Sequence, residues 1–203
     1  MRVRTSTVPP RHVDRIAGVR VTSRVRTVLD LAPSVPEAWL VVLADHLVRR
    51  PRERFEQRTA PYATLDELRD GARAMGSRRG AATMRRALER ARVGSDSPQE
   101  TALRLALVGA GIPEPVLNVA IADARGDRVA GPDLQWPRFR VAAEYEGPHH
   151  RTREQLDRDI DRADAMRRAG WVEVRVTARD AREGWWAAIQ RVRRALEERG
   201  WEG

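Results

Sequence analysis

The run Val141-Ala142-Ala143, followed by Glu144 and Glu146, constrains the fold of this chain more than any other feature. Side chains alternate between the two faces of a strand, so this run is apolar on both faces and predicts a central strand of a covered sheet. The same alternation places Glu144 and Glu146 on one face and Tyr145 on the other. Because burying an ionised carboxylate is costly unless a cation meets it, this strand end predicts a positively charged partner.

A second acid precedes this strand. The stretches Arg128–Trp136 and Phe139–Glu146 predict a β-hairpin that turns at Pro137-Arg138. In such a hairpin Asp133 is a direct or diagonal neighbour of Glu144 across the two strands. The hairpin therefore predicts that the acids of both strands gather on one face.

Asp133, Glu144 and Glu146 together predict a site for Mg²⁺ or Mn²⁺, since these hard ions prefer oxygen ligands. A metal held there would polarise a phosphate and lower the pKa of an attacking water, which points to phosphodiester hydrolysis. Two structural alternatives stay open. Asp133 simply starts a turn, or Glu144 and Glu146 form the solvent face of an edge strand.

Two histidines follow the strand, after the turn that Gly147-Pro148 predicts. His149 or His150 would reach the carboxylates, where a histidine accepts the proton of the water or protonates the leaving oxygen. A structural role is the simpler interpretation of His149, and both roles stay open for His150.

Glu100 lies on a predicted helix that runs from Pro98 to about Ala110. It falls in the apolar stripe of that helix and is expected to point toward the sheet, where a functional carboxylate would lie. Ser97 and Glu100 also form a capping box with Pro98 at the first helical position, which explains Glu100 without any catalytic role. Both interpretations stay open.

Four further polar residues lie near these motifs. A solvated helix face is the simpler interpretation of Gln155 and Asp159. Arg162 and Arg175 are candidate phosphate contacts, although single arginines carry little weight in a chain with 38 of them.

The second half of the chain, residues 94–203, begins at the turn Gly94-Ser95-Asp96. Hydrophobic periodicity after it predicts a helix, three strands, a helix, a strand and a last helix. The predicted elements are the helix from Pro98, the strand Val116–Ala122, the hairpin described above, the helix Arg153–Ala169, the strand Trp171–Thr177, and a helix with Trp185, Ile189, Val192 and Leu196 on one stripe. This order predicts an α/β domain, a mixed sheet flanked by helices.

The first half, residues 1–93, predicts a small and mostly helical subdomain. Alternating stretches within residues 2–22, such as Val3-Arg4-Thr5, predict a β-hairpin that turns at Gly18. Four helices are expected after it: Arg24–Ala32 behind the cap Ser23, one that begins at Pro36, one capped by Thr64, and Ala81–Arg92.

Charge separates the two halves. All 38 basic residues are Arg, and residues 1–96 hold 20 of them against 11 acids, whereas residues 97–203 hold 18 of each. A basic half of this kind suits a phosphate backbone, with a solvated arginine surface as the alternative. The chain has no Cys, so thiolate chemistry is excluded, and no apolar run of the roughly 20 residues that span a membrane. We expect a cytoplasmic protein without a signal peptide.

The motifs resemble those of a nuclease family. Pro132-Asp133, the run from Glu144 to His150, Gly170-Trp171 and Val174-Arg175-Val176-Thr177 are similar to the very-short-patch-repair-like branch of the PD-(D/E)XK superfamily. Residues 94–203 more closely resemble actinobacterial proteins of unknown function that join such an endonuclease-like domain to a segment related to AbiEi-type antitoxins. Residues 18–30 resemble the region before the nuclease domain more loosely. A winged helix that these proteins often carry upstream is not expected here.

The resemblance implies a restriction-endonuclease-like core and a role for each motif residue. Asp133 would be the first metal-binding acid and Glu144 the second. Glu146 stands where the superfamily has a Lys, although related sequences also carry an acid there. The histidine three residues after the glycine is His150, our candidate for activating the water, and Glu100 would match the acid on the helix before the sheet.

Three functions follow from these expectations. The first is a metal-dependent DNA endonuclease, for repair-type nicking or for defence. The second is an antitoxin-type or DNA-associated regulator that keeps a nuclease-like fold without turnover, which the missing Lys permits and the basic half favours. The third is a binding partner of a toxin protein.

Overall fold

The computed structural model describes residues 8–52, 56–123, 125–147 and 153–203, with the side chains of the last range described from residue 160. The chain forms two compact units, Met1–Val93 (unit 1) and Gly94–Gly203 (unit 2). The predicted strand Val3-Arg4-Thr5 lies outside the described residues. Within the described part of the chain, no helix combines the length and the apolar character needed to cross a membrane.

Unit 1 is a hairpin followed by four helices. The elements are β1 (Val13–Ile16), β2 (Val19–Thr22), α1 (Arg24–Leu31), α2 (Glu37–Val48), α3 (Leu65–Ala74) and α4 (Ala81–Arg90). The strands β1 and β2 pair in antiparallel register across Ala17-Gly18, and both of these residues have positive φ angles, 48° and 82°. Two such residues suit a tight hairpin turn.

Two of the four described helices of unit 1, α1 and α3, begin at a residue whose side chain caps them. Ser23 accepts the N–H of Arg26, and Thr64 forms a capping box with Glu67, so both predicted caps are confirmed. The helices bury a shared core that includes Leu40, Val41, Leu68, Met84 and Leu88. The small, mostly helical subdomain expected for this half is therefore present.

Unit 2 is a mixed α/β domain, as predicted. Its elements are α5 (Pro98–Gly109), β3 (Val116–Leu117), β4 (Ile121–Ala122), β5 (Arg128–Ala130), β6 (Leu134–Trp136), β7 (Val141–Glu146), α6 (Arg153–Arg168), β8 (Val172–Thr177), α7 (Ala178–Arg182) and α8 (Trp186–Glu197). The main sheet has the order β3-β6-β7-β8, and β7 pairs antiparallel with β6 and parallel with β8. The central position predicted for Val141-Ala142-Ala143 is thus confirmed.

The two faces of this sheet differ in chemistry. One face is apolar and packs against α5 and α8, whose buried residues include Leu103, Leu107, Val192 and Leu196. The strand residues on this face are Leu134, Trp136, Val141, Ala143, Val174 and Val176. The alternate positions of β7 and β8 hold three acids and one arginine, together with Ala142 and Thr177. Since these positions face away from the apolar core, the charged side chains collect on the opposite face.

Three strand predictions were wrong in their extent. Val116–Ala122 is two short strands in different sheets, because Asn118 has a φ of +50° and interrupts the extended backbone. Arg128–Trp136 is broken between β5 and β6, where Pro132 has no N–H to donate to a ladder. The strand expected from Phe139 begins at Val141, because a 3₁₀ turn and the left-handed Arg140, with a φ of 51°, precede it.

Candidate functional site

The charged face is built on β7 and β8. Their parallel register pairs Glu144 with Arg175, Glu146 with Thr177, and Ala142 with Glu173, and residues paired across a sheet share a face. β7 as a whole lies between β6 and β8, but its pairing with β6 ends at Ala143, so Glu144 and Glu146 pair with β8 alone. Their side chains are each only 25% exposed, so they do not form an open solvent face.

Asp133 continues this face on the other side of β7. Leu134 pairs with Ala143, so Asp133 stands next to Glu144 at the position just before β6 begins. Its Oδ2 accepts the N–H of Tyr145 at 2.7 Å, and its main-chain oxygen accepts the N–H of Asn118 at 3.0 Å. These bonds fix Asp133 at the open end of the β6–β7 ladder, beside Glu144 as the hairpin predicted.

Two arginines lie between the acids of this face. Arg162 on α6 donates through Nη1 to Glu144 Oε2, and its Nη2 lies 3.2 Å from Glu173 Oε1. Arg175 on β8 places Nη1 3.3 Å from Glu146 Oε1 and Nε 3.7 Å from Glu173 Oε2. We call Asp133, Glu144, Glu146, Glu173, Arg162 and Arg175 the carboxylate face. Among the described residues it holds four acids and two arginines.

Glu144 is the titratable group that this environment perturbs. Burial raises the pKa of Glu144 above its ordinary value, and the neighbouring Glu173 carboxylate raises it further, while Arg162 opposes both. Glu173 is itself buried, and its Oε1 accepts no hydrogen bond from the described residues, so the ion pair with Arg162 is its counter-charge there. Burial is the largest of these effects, so the rise in the pKa of Glu144 mainly reflects the removal of its carboxylate from solvent.

Glu100 reaches the same region through Asn118. It is 5% exposed, and its N–H is capped by Ser97, but its carboxylate accepts the N–H of Asp96 at 2.8 Å and the side-chain amide of Asn118 at 2.7 Å. The capping box is therefore only half formed, because the reciprocal bond goes to Asp96. Asn118 links Glu100 by its side chain to Asp133 by its main chain.

Asn118→Gly is expected to lower the free energy of unfolding of unit 2 by about 1–3 kcal/mol, because the buried Glu100 carboxylate would lose a hydrogen-bond donor. Glycine tolerates the positive φ of residue 118, so the change adds no backbone strain. The loss would report the amide, which also donates to the main-chain oxygen of Gly94 at 2.7 Å, together with the greater conformational freedom of glycine in the unfolded chain. Denaturant titration measures it. A loss below about 0.5 kcal/mol would contradict the bridging role, since that is the range of neutral surface changes.

The remaining candidates cannot be placed on the carboxylate face. His149, His150 and the preceding Pro148 lie outside the described residues, as do the side chains of Gln155 and Asp159. Among the residues that are described, no three or more His, Asp or Glu side chains are grouped so that they could hold one metal ion.

Sequence reasoning missed Glu173 and Asn118. Glu173 and Arg175 alternate with Val172, Val174 and Val176, so the sequence could have predicted that both lie on the polar face of β8. What the sequence did not contain was the register that places Glu173 beside Glu144. The link from Asn118 to Glu100 had no local signal at all.

Comparison with known proteins identifies distant relatives without an assigned activity. Two uncharacterised proteins, from two strains of Mycobacterium tuberculosis, are each 28% identical to this chain over 190 residues. The match covers 88% of this chain and 66% of each relative, so the chain spans a little under two thirds of their length. No protein-family model and no solved structure matches the chain.

Proposed function

We propose that unit 2 hydrolyses phosphodiester bonds in DNA with the help of Mg²⁺ or Mn²⁺, on a restriction-endonuclease-like fold. The observation that carries this proposal is the carboxylate face: four acids against two arginines at the end of a central strand, with the pKa of Glu144 raised. Carboxylates gathered in this way suit a divalent cation, since hard ions prefer oxygen ligands.

The residues present fit a divalent cation. Asp133 and Glu144 are neighbours in the register and offer hard oxygen ligands, and the buried Glu173 Oε1 accepts no hydrogen bond from the described residues. Asp133 and Glu144 would hold the ion. When bound, the ion would supply Lewis-acid activation of the phosphate and of an attacking water.

The other residues have proposed roles around this pair. Arg162 and Arg175 would stabilise the negative charge that develops on the phosphate, since guanidinium groups bind phosphate oxygens well. Glu146, which takes the place of the superfamily Lys, is held by Arg175. His150 would carry the proton of the water. Glu100 would act as a positioning residue, because its carboxylate is bonded to the residue that supports Asp133.

The direct test is nicking of supercoiled plasmid by the purified full chain in Mg²⁺ or Mn²⁺. We expect conversion to the open-circular form with either metal, and none when a chelator removes it. Failure to nick plasmid, linear duplex or mismatched duplex with any divalent metal would overturn the proposal.

The second candidate function is binding without hydrolysis, as in an antitoxin-type regulator or a partner of a toxin protein. The observation that favours it is the pairing of Arg162 and Arg175 with the acids, since guanidinium groups already occupy Glu144 and Glu146. It predicts DNA binding that is unaffected by metal and by removal of the Asp133 charge. Nicking that requires Asp133 would exclude it.

A further inference from the structure

A cleft in unit 1 gathers unpaired positive charge. The cleft has a volume of about 700 Å³, and Leu29, Pro33 and Met75 form its apolar lining. Its charged or titratable lining residues are Arg11, His12, Arg26, Asp30, Arg78 and Arg79. We call it the arginine cleft.

The acid of the arginine cleft is already neutralised. Asp30 accepts two hydrogen bonds from Arg26 Nε, at 2.8 and 2.9 Å, one helical turn away on α1. Arg11, Arg78 and Arg79 are exposed and make no ion pair with any residue in the described ranges. The cleft therefore presents three positive charges whose counter-ions must come from solvent or from a ligand.

Close backbone packing fixes the segment that carries two of these arginines. Gly80 has a φ of +86°, and a Cβ there would lie 2.6 Å from the main chain of Ala32 and Pro33. The Arg78-Arg79 segment is thus pressed against the end of α1 at a point where only glycine fits. Arginines on a fixed backbone lose less conformational freedom when they bind a ligand.

The chemistry of the arginine cleft matches phosphate groups of a polymer. Guanidinium groups bind phosphate oxygens with two donors at once, and carboxylates of the protein do not compete here. The excess of positive charge also extends beyond the cleft, since residues 1–93 hold 20 Arg against 10 acids. On the hairpin, Arg15 and Arg20 stand directly opposite each other, an arrangement that a nearby polyanion would relieve. A single small phosphate would neutralise only part of this charge.

We propose that the arginine cleft of unit 1 binds the phosphate backbone of duplex DNA. The cleft itself is independent of the carboxylate face, and only the choice of DNA over RNA rests on the function proposed for unit 2. The site contributes affinity without reading sequence, as phosphate contacts do.

Fluorescence anisotropy with a labelled duplex of about 20 base pairs tests this, with a chelator present so that metal and cleavage play no part. Replacing Arg11, Arg78 and Arg79 with Gln is expected to weaken binding by at least tenfold and to reduce the slope of log K against log salt by about 2–3. Circular dichroism checks that the variant is folded. Because binding is measured with the metal removed, a failure of catalysis would leave this result intact.

The matched control replaces Arg69, Arg73 and Arg86 with Gln, which removes the same charge from unit 1 at positions paired with Asp66, Asp70 and Glu37. We expect the control to lose less than threefold in affinity. Equal losses of affinity in both variants would show that binding responds to net charge alone, and would overturn the proposal that the arginine cleft is the binding site. Tighter binding of duplex RNA, or displacement by millimolar inorganic phosphate but not by chloride at equal ionic strength, would overturn backbone binding of DNA.

Discussion

Asp133→Asn is expected to abolish metal-dependent nicking of DNA while leaving the fold intact. The substitution removes a negative charge from the proposed metal-binding pair of Asp133 and Glu144. It keeps a side-chain oxygen that can accept the N–H of Tyr145, as Asp133 Oδ2 does at 2.7 Å in the unaltered chain. We expect the nicking rate to fall by at least about 100-fold, because even the outer-shell partners of a metal site change activity by roughly 10–100-fold. Plasmid nicking and thermal unfolding of the same preparation measure both quantities.

Asp123→Asn is the matched control for this change. Asp123 lies in the same unit, and its Oδ1 also accepts backbone N–H groups, from Arg125 at 2.8 Å and Asp127 at 3.0 Å. The control therefore removes one carboxylate charge that has the same kind of structural bond but lies outside the carboxylate face. Equal loss of nicking in both variants would contradict a special role for Asp133, as would full activity of Asp133→Asn.

Arg162→Leu is expected to destabilise unit 2 by about 3 kcal/mol at neutral pH, because it leaves Glu144 and Glu173 as neighbouring, largely covered carboxylates without their shared cation. The three side chains are only 23%, 25% and 8% exposed, so solvent screens them weakly. Adding Glu173→Gln to this variant is expected to recover part of the lost stability. Chemical denaturation in a chelator measures each step.

The pH dependence of this loss has a definite sign. The pKa of Glu144 is already raised in the folded chain, and it would rise further without Arg162, because that guanidinium is the group that lowers it. A raised carboxyl pKa favours the folded state at low pH and costs stability as pH rises through it. The loss in Arg162→Leu is therefore expected to be small near pH 4 and to grow toward neutral pH.

Arg167→Leu serves as the control on the same helix. Arg167 pairs with Asp164 at 2.6 Å, but its side chain is 75% exposed. Exposed ion pairs contribute little, so the control is expected to lose less than about 0.5 kcal/mol at any pH. A loss in Arg162→Leu as small as this, or one that does not change with pH, would contradict the electrostatic description of the carboxylate face.

Local patterns in the sequence predicted much of the fold. Several helices of both units begin at capping residues that the sequence displays, such as Ser23, Thr64 and Ser97. The run Val141-Ala142-Ala143 predicted a central strand because no other position in a sheet covers both faces of an apolar run. The hairpin brought Asp133 next to Glu144, although its connection is the four residues from Pro137 to Arg140 and not the two predicted.

The rest depended on contacts that no local pattern contains. The left-handed Asn118 divides a segment that alternates like one strand, and its partner Glu100 is 18 residues away. The short helix α7 was not predicted, since its capping box at Thr177 closes a strand and opens a helix at the same residue. The pairing of Arg162 with Glu144 and Glu173 requires the packing of α6 on a parallel strand pair, which follows from tertiary structure alone.

Direct binding of Mn²⁺ tests the proposed metal site without reference to any substrate. Electron paramagnetic resonance of free Mn²⁺ during a titration gives the stoichiometry and affinity for the unaltered chain and for Asp133→Asn, Glu144→Gln and Asp123→Asn. We predict about one Mn²⁺ per chain, with affinity reduced at least tenfold in Asp133→Asn and in Glu144→Gln but unchanged in Asp123→Asn. Equal Mn²⁺ binding by all four proteins, or none by the unaltered chain, would contradict a metal site at Asp133 and Glu144.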